Sequence, residues 1–143
     1  MRALLDVNVL VALLDGGHLH HRTATDWLGS HMSAGWASCP LTENGCVRIL
    51  SLASYPNAQL PAEVAKRLAG AVAGGRHEFW ADSLSLLEPR RLSWSHVLGS
   101  RRVTDAYLLA LAVERKGRLV TFDRGIALAV VPGAEKRHLV TLG

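Results

Sequence analysis

Short apolar runs that close on a carboxylate or a turn alternate with longer amphipathic stretches along this chain. Ala3-Leu4-Leu5 is continuously apolar and ends at Asp6, the pattern of a strand buried on both faces. Val7 to Leu14 stays apolar and predicts a helix, stopped by Asp15-Gly16-Gly17. Ala24, Trp27 and Leu28 recur at helical spacing between His20 and Ser30. Gly35 to Cys39 reads as a second strand. Pro40 suits the first position of a helix, where its missing N–H costs nothing, and Leu41, Cys46, Val47 and Leu50 carry that helix to about Leu52. After a loop at Ser54-Tyr55-Pro56-Asn57, Pro61 opens another helix with Val64, Leu68, Ala71 and Val72 on one face, ended by Gly74-Gly75.

Glu78 to Ala81 predicts a third strand, followed by a brief helix through Leu87 that Asp82 or Ser83 would cap. Residues 88–102 are irregular and basic. Thr104 to Arg115 is the clearest helix, with Ala106, Leu109, Ala110 and Val113 as its stripe and Gly117 just past its end. Arg118 to Phe122 reads as a fourth strand closing at Asp123, Gly125 to Val130 as a short helix, and His138 to Leu142 as a fifth strand. Strands alternating with helices predict one α/β domain over 1–143 with a mostly parallel sheet.

Composition agrees with a globular chain: 143 residues, 49% hydrophobic and 20% charged, enough to bury a core. No stretch approaches the ~18 apolar residues of a membrane span. Val9 to Leu14 is too short for a secretory leader, so a cytoplasmic protein is expected. The two cysteines, Cys39 and Cys46, would stand about two helical turns apart, on the order of 10 Å, too far to bridge. They are expected as reduced thiols. Formal charge is +4. It is unevenly placed, with 6 basic and 8 acidic residues in 1–89 against 10 and 4 in 90–143. A basic half is a weak pointer to a polyanionic partner.

Ligands of parallel α/β sheets sit at the carboxyl ends of strands. Asp6 closes the first strand and Asp123 the fourth. Glu43 and Asp105 stand in the first turns of helices that begin at the same sheet edge. Each has an ordinary explanation, as a helix-dipole partner or a turn residue, but those explanations do not require a common edge. Four carboxylates together would raise one another's pKa unless a hard cation neutralised them, and oxygen-only ligands favour Mg2+ or Mn2+. Asp82 is a fifth candidate, read as a helix cap. His18, His20 and His21 match no metal-ligand spacing and read as locally bonded. Arg90, Arg91, Arg101 and Arg102 precede the helix carrying Asp105 and would hold a phosphate backbone there, or else form a solvated loop. Trp94 is expected to be partly buried, and Trp27, Trp36 and Trp80 to be core.

Leu5-Asp6-Val7-Asn8, Thr42-Glu43, the run Val103 to Ala112 beginning Val-Thr-Asp-Ala-Tyr, and Thr121-Phe122-Asp123-Arg124-Gly125 occur in order over nearly the whole chain. Together they resemble the PIN domain, and more narrowly the ribonuclease toxins of VapBC-type toxin–antitoxin modules. His77-Glu78-Phe79-Trp80 and Ser85-Leu86-Leu87 fit that subgroup as well. The resemblance implies a three-layer α/β/α fold with a central, mostly parallel sheet of about five strands. It implies an Mg2+-dependent endoribonuclease, with Asp6, Glu43, Asp105 and Asp123 as the acidic, metal-holding set and Asn8 and Thr104 in supporting polar roles. Thr104 would cap the helix that carries Asp105. A metal-activated water would cleave structured RNA, such as tRNA or rRNA, leaving 5′-phosphate and 3′-hydroxyl ends. A cognate VapB-like antitoxin and a homodimer are also implied, with the helices at 41–52 and 61–73 as candidate interfaces. On the residues alone, a non-cleaving RNA- or protein-binding module and a different Mg2+-dependent phosphotransfer enzyme stay open.

Overall fold

The computed structural model describes residues 1–143. Five strands form one sheet: β1 (Ala3–Leu5), β2 (Trp36–Ser38), β3 (His77–Phe79), β4 (Arg118–Thr121) and β5 (Leu139–Thr141). The helices are α1 (Val7–Leu14), α2 (His21–His31), α3 (Pro40–Leu50), α4 (Pro61–Ala73) and α5 (Val103–Glu114). Sheet order is β3-β2-β1-β4-β5, and every neighbouring pair is parallel. The expected α/β architecture is present, and its sheet is parallel throughout.

Alternation along each strand divides the side chains between two layers. Leu4, Ala37 and Leu119 face one core with α5; Ala3, Leu5, Trp36 and Val120 face the other with α1 to α4. That division yields the α/β/α sandwich. The chain runs outward from β1 to β2 and β3, then returns to β1's other side with β4 and β5. The reversal makes the crevice between the carboxyl ends of β1 and β4 the topological switch point, where such sheets bind ligands.

Glycine governs the approach of α3 to α1. A Cβ on Gly45 would lie 2.6 Å from Val7 Cγ2, so only a bare Cα lets the two helices meet at this distance. This contact fixes how the helix bearing Glu43 sits against the helix that begins after Asp6.

Several expected boundaries differ. Residues 83–87 form no helix; the stretch between β3 and Trp94 is turns, bends and irregular chain. Asp82 instead accepts the N–H of Leu41 (3.2 Å), so it caps the first turn of α3, from a position distant in sequence. The helix expected over 125–130 is a single 3-10 turn, Leu128–Val130. The helix expected to reach about Leu52 stops at Leu50, where the Ser51 hydroxyl donates to the Val47 carbonyl (2.7 Å). The α5 stripe underestimates burial. Every residue from Ala106 to Ala112 is buried, because Trp80, Leu92, Val130 and Val131 cover the helix's outer side. A helix covered all round has no polar face to reveal its period. Trp36 and Trp80 are core and Trp27 is partly buried, with the Arg118 guanidinium 5.2 Å from its ring. Trp94 is 50% exposed.

Candidate active site

Asp6 follows the last residue of β1 and is the N-cap of α1. The register pairs Leu5 with Val120, which sets Asp6 beside Thr121, the last residue of β4. Asp6 Oδ1 accepts the Val7 N–H (2.7 Å) and Oδ2 accepts the Thr121 hydroxyl (2.7 Å). Thr121 Oγ1 in turn accepts the Asp123 N–H (3.0 Å) and an amide N–H of Asn8 (3.2 Å). Asn8 Oδ1 accepts the Phe122 N–H (3.1 Å). Thr121 is thus a fully buried hub that fixes Asp6 and the turn carrying Asp123, and Asn8 closes the network. Burial pushes the Asp6 carboxyl above its ordinary range, with Asp105 and Asp123 adding like charge, although the Thr121 and Val7 bonds oppose the shift.

Asp105 lies in the first turn of α5, and burial followed by the charge of Asp123 raises its pKa. Asp123 shifts the other way. Its Oδ1 accepts the Gly125 N–H (2.7 Å), and that bond and Arg102 hold it low. Arg102 Nη1 reaches both acids, at 2.7 Å from Asp123 Oδ2 and 3.3 Å from Asp105 Oδ2. Three aspartates from three elements therefore influence one another electrostatically at the switch point. Thr104 does not cap α5, whose N-cap is Arg102; it lies inside the first turn and is exposed. The 3-10 turn Ser100–Arg102 runs directly into the helix, so Thr104 falls too late in the chain to cap it.

Glu43 belongs to a separate cluster. Its Oε2 accepts the Ser38 hydroxyl at 2.6 Å, and Ser38 Oγ lies 2.8 Å from His77 Nε2. The hydroxyl has one proton, and because it is donated to Glu43, His77 Nε2 must be the donor to Ser38. Burial depresses the His77 pKa, against a pull from Glu43. A neutral imidazole with its proton on Nε2 therefore orients the serine that orients the carboxylate.

The side chains do not gather as tightly as a shared four-acid centre requires. No three His, Cys, Asp or Glu side chains converge closely enough to hold a metal ion. The donors nonetheless suit a hard cation, since all are carboxylates and two of them are driven toward protonation by burial and mutual repulsion. The cationic group that meets Asp105 and Asp123 is Arg102.

The expected phosphate-holding arginines diverge in the same way. Arg91 is tied to Glu88 and Glu114, Arg102 is tied to the two aspartates, and Arg90 and Arg101 are exposed. The histidine group is locally bonded: His18 Nδ1 accepts the His20 N–H, His20 stacks on Phe122, and His21 Nδ1 meets the Ala12 carbonyl. Both cysteines are buried and free, with thiols pushed up to about 11 by burial. The sequence reading missed Thr121, Ser38 and His77. Thr121 and Ser38 are final strand residues at the same edge as Asp6, and that shared position was the available signal.

Residues 3–131 match the PIN domain family. The chain is 50% identical to Ribonuclease VapC44 of Mycobacterium tuberculosis, over 99% of this chain and all of that protein. It is 44% identical to Ribonuclease VapC38 of the same species, over 87% of this chain and 86% of the relative. Among solved structures it resembles the M. tuberculosis toxin VapC20, described as cleaving the sarcin-ricin loop, with a TM-score of 0.59 at 14% identity, covering 81% of this chain and 85% of that one. It also resembles VapBC2 of Rickettsia felis bound to promoter DNA, with a TM-score of 0.66 at 12% identity and full coverage of both chains. At those identities the structural likeness speaks for the fold, while the curated relatives speak for descent. Sheet order, edge carboxylates and sequence agree that this chain belongs to the PIN domain family, in its branch of VapC ribonuclease toxins.

Proposed function

We propose that the chain is an endoribonuclease toxin whose cleavage requires Mg2+ or Mn2+ and whose site is the switch-point crevice. The carrying observation is the pair Asp6 and Asp105, desolvated carboxylates kept near Asp123 at the edge where β1 and β4 diverge. Such a cluster is costly unless its purpose is to bind positive charge. Asp6, Asp105 and Asp123 would hold the ion, with Glu43 completing the site through water. When bound, a divalent cation supplies positive charge against the scissile phosphate and eases loss of a proton from the attacking water.

The chain's own residues perform the remaining work. Thr121 and Asn8 keep Asp6 and the Asp123 turn in place. Ser38, steadied by His77, holds Glu43 by Oε2, and the proposed role of the other carboxylate oxygen is to accept a proton from water. Exposed Arg90 and Arg101 offer charge to the RNA backbone and half-exposed Trp94 offers a ring to an unpaired base. In-line attack by water leaves 5′-phosphate and 3′-hydroxyl ends, and structured RNA such as tRNA or rRNA is the proposed substrate.

A VapB-like antitoxin and a second copy of the chain are the proposed partners. An apolar groove of about 570 Å³ between α3 and α4, lined by Val47, Ala65, Leu68 and Val72, supports protein contact there. No helix is long and apolar enough to cross a membrane, which fits the proposed cytoplasmic setting. The test is incubation of antitoxin-free protein with tRNA and rRNA in Mg2+ and then in EDTA, with end mapping by ligation. Cleavage lost in EDTA and restored by Mg2+ is expected. No cutting across a broad RNA panel would overturn the reading.

A further inference from the structure

Arg102 reaches two carboxylates on different elements with a single nitrogen, Nη1, as a small cation would. Its seat is shaped by what position 125 lacks. A Cβ on Gly125 would stand 2.1 Å from Arg102 Nη2 and 2.6 Å from Cζ, so the guanidinium lies where any side chain at 125 would begin. Gly125 has no left-handed φ that would itself demand glycine, so the nearest atoms a Cβ there would meet belong to the movable end of the Arg102 side chain. The Arg102 side chain is 32% exposed and faces a cavity of about 150 Å³ that Asp105, Ala106, Ile126 and His96 also line. It can therefore leave the seat without unfolding its surroundings.

We propose that Arg102 is an exchangeable internal counter-ion: it holds Asp105 and Asp123 in the metal-free protein, a divalent cation displaces it, and the freed guanidinium turns into the neighbouring cavity to hold the RNA phosphate. This rests on reading the three aspartates as the cation site. Two cations cannot use the same carboxylate lone pairs at once, so Arg102 and the divalent ion compete. The aspartates avoid facing one another unneutralised before the ion arrives, and the ion's arrival supplies the site with a phosphate ligand.

The measurement is Mn2+ affinity of the full chain, read from free Mn2+ by electron paramagnetic resonance without RNA. Removing the competitor with Arg102→Ala should tighten Mn2+ binding by about tenfold, the scale of a partly exposed ion pair reinforced by two acceptors. Arg102→Ala also removes a nearby positive charge, so a second variant separates the effects. Gly125→Ala keeps that charge but fills the seat, and should tighten binding as well. Arg101→Ala, which deletes an exposed charge near Asp105 outside the seat, should change affinity by less than about twofold. In wild type, saturating Mg2+ should shift the Arg102 guanidinium resonances toward a freely exchanging, solvent-exposed group. Mn2+ binding that weakens or stays constant in either Arg102→Ala or Gly125→Ala, with native far-UV circular dichroism, overturns the exchange while leaving the cation site standing. Absence of Mn2+ binding in wild type and Arg102→Ala alike overturns the exchange together with the metal-dependent reading.

Discussion

The two sides of the acidic edge solve one electrostatic problem differently. On the β1–β4 side, Asp6 and Asp105 are desolvated and feel the charge of Asp123, and a partly exposed cation, Arg102, pairs with Asp105 and Asp123. On the β2–β3 side, Glu43 stands apart from that cluster and is fixed by a neutral relay, Ser38 and His77. The first arrangement balances negative charge with a cation that the proposed exchange would replace. The second stores orientation, because neutral donors fix a carboxylate without cancelling its charge. On the proposed function, the difference separates residues that would bind an ion from a residue held in one orientation.

The sharpest break of this contrast is charge removal on the first side. Asp105→Asn should lower RNA cleavage by roughly a thousandfold, several kcal/mol of lost charge stabilisation, measured by single-turnover cleavage of a labelled RNA. A variant within tenfold of wild type would remove Asp105 from the machinery.

Losing orientation on the second side should cost less. His77→Phe should lower the rate by about 10- to 100-fold, typical of a partner that orients a functional group. His77→Gln, which presents an N–H near the Nε2 position, should recover most of it. Equal damage from Phe and Gln would sink the relay.

Thr121→Val should cost about 1–3 kcal/mol of stability in urea, because it strips a buried hub of its donor to Asp6 and its acceptor for Asn8 and Asp123. Ser38→Ala should cost less, since its loss does not detach the β4 exit. If Ser38→Ala proves the more damaging, the structural weight lies on the wrong side.

The pH dependence carries opposite signs within the cluster. Asp6 has a raised folded pKa, so its favourable contribution exists below 3.8 and is lost as pH rises through the folded value. Asp123 is lowered; its contribution is present above 3.8 and is lost as pH falls through its folded value. Asp6→Asn should therefore raise the Tm at pH 7 by a few degrees, at about 4 °C per kcal/mol for a domain of this size, and the gain should shrink toward pH 3. A Tm difference independent of pH would contradict the assignment. The smallest effect belongs to Arg90→Ala, which should weaken RNA binding a few-fold and lessen the salt slope by about one.

Much of this was legible in the chain. Ala3-Leu4-Leu5 before Asp6 and Leu119-Val120-Thr121 before Asp123 read as buried strands because full burial leaves a continuous apolar run. What failed were features decided across space. Asp82 looked like the cap of its own helix because local sequence cannot show that Leu41, remote in the chain, offers the N–H. Tyr107, Leu108, Leu111 and Ala112 fell outside the α5 stripe because periodicity registers one buried face, not the cover supplied by Trp80 and Val131.

By itself the sequence determined the parallel α/β alternation, the carboxylates at strand ends and helix starts, and the family. Those depend on local pattern and on residue identity in order. The tertiary structure alone decided that Arg102 neutralises Asp105 and Asp123, that Thr121 joins Asp6 to the β4 turn, and that Ser38 and His77 serve Glu43. Apart from the local Arg102–Asp105 and Thr121–Asp123 contacts, these links cross from one element to another, and strand order and register, not spacing along the chain, set which polar atoms come within the ~3 Å of a hydrogen bond.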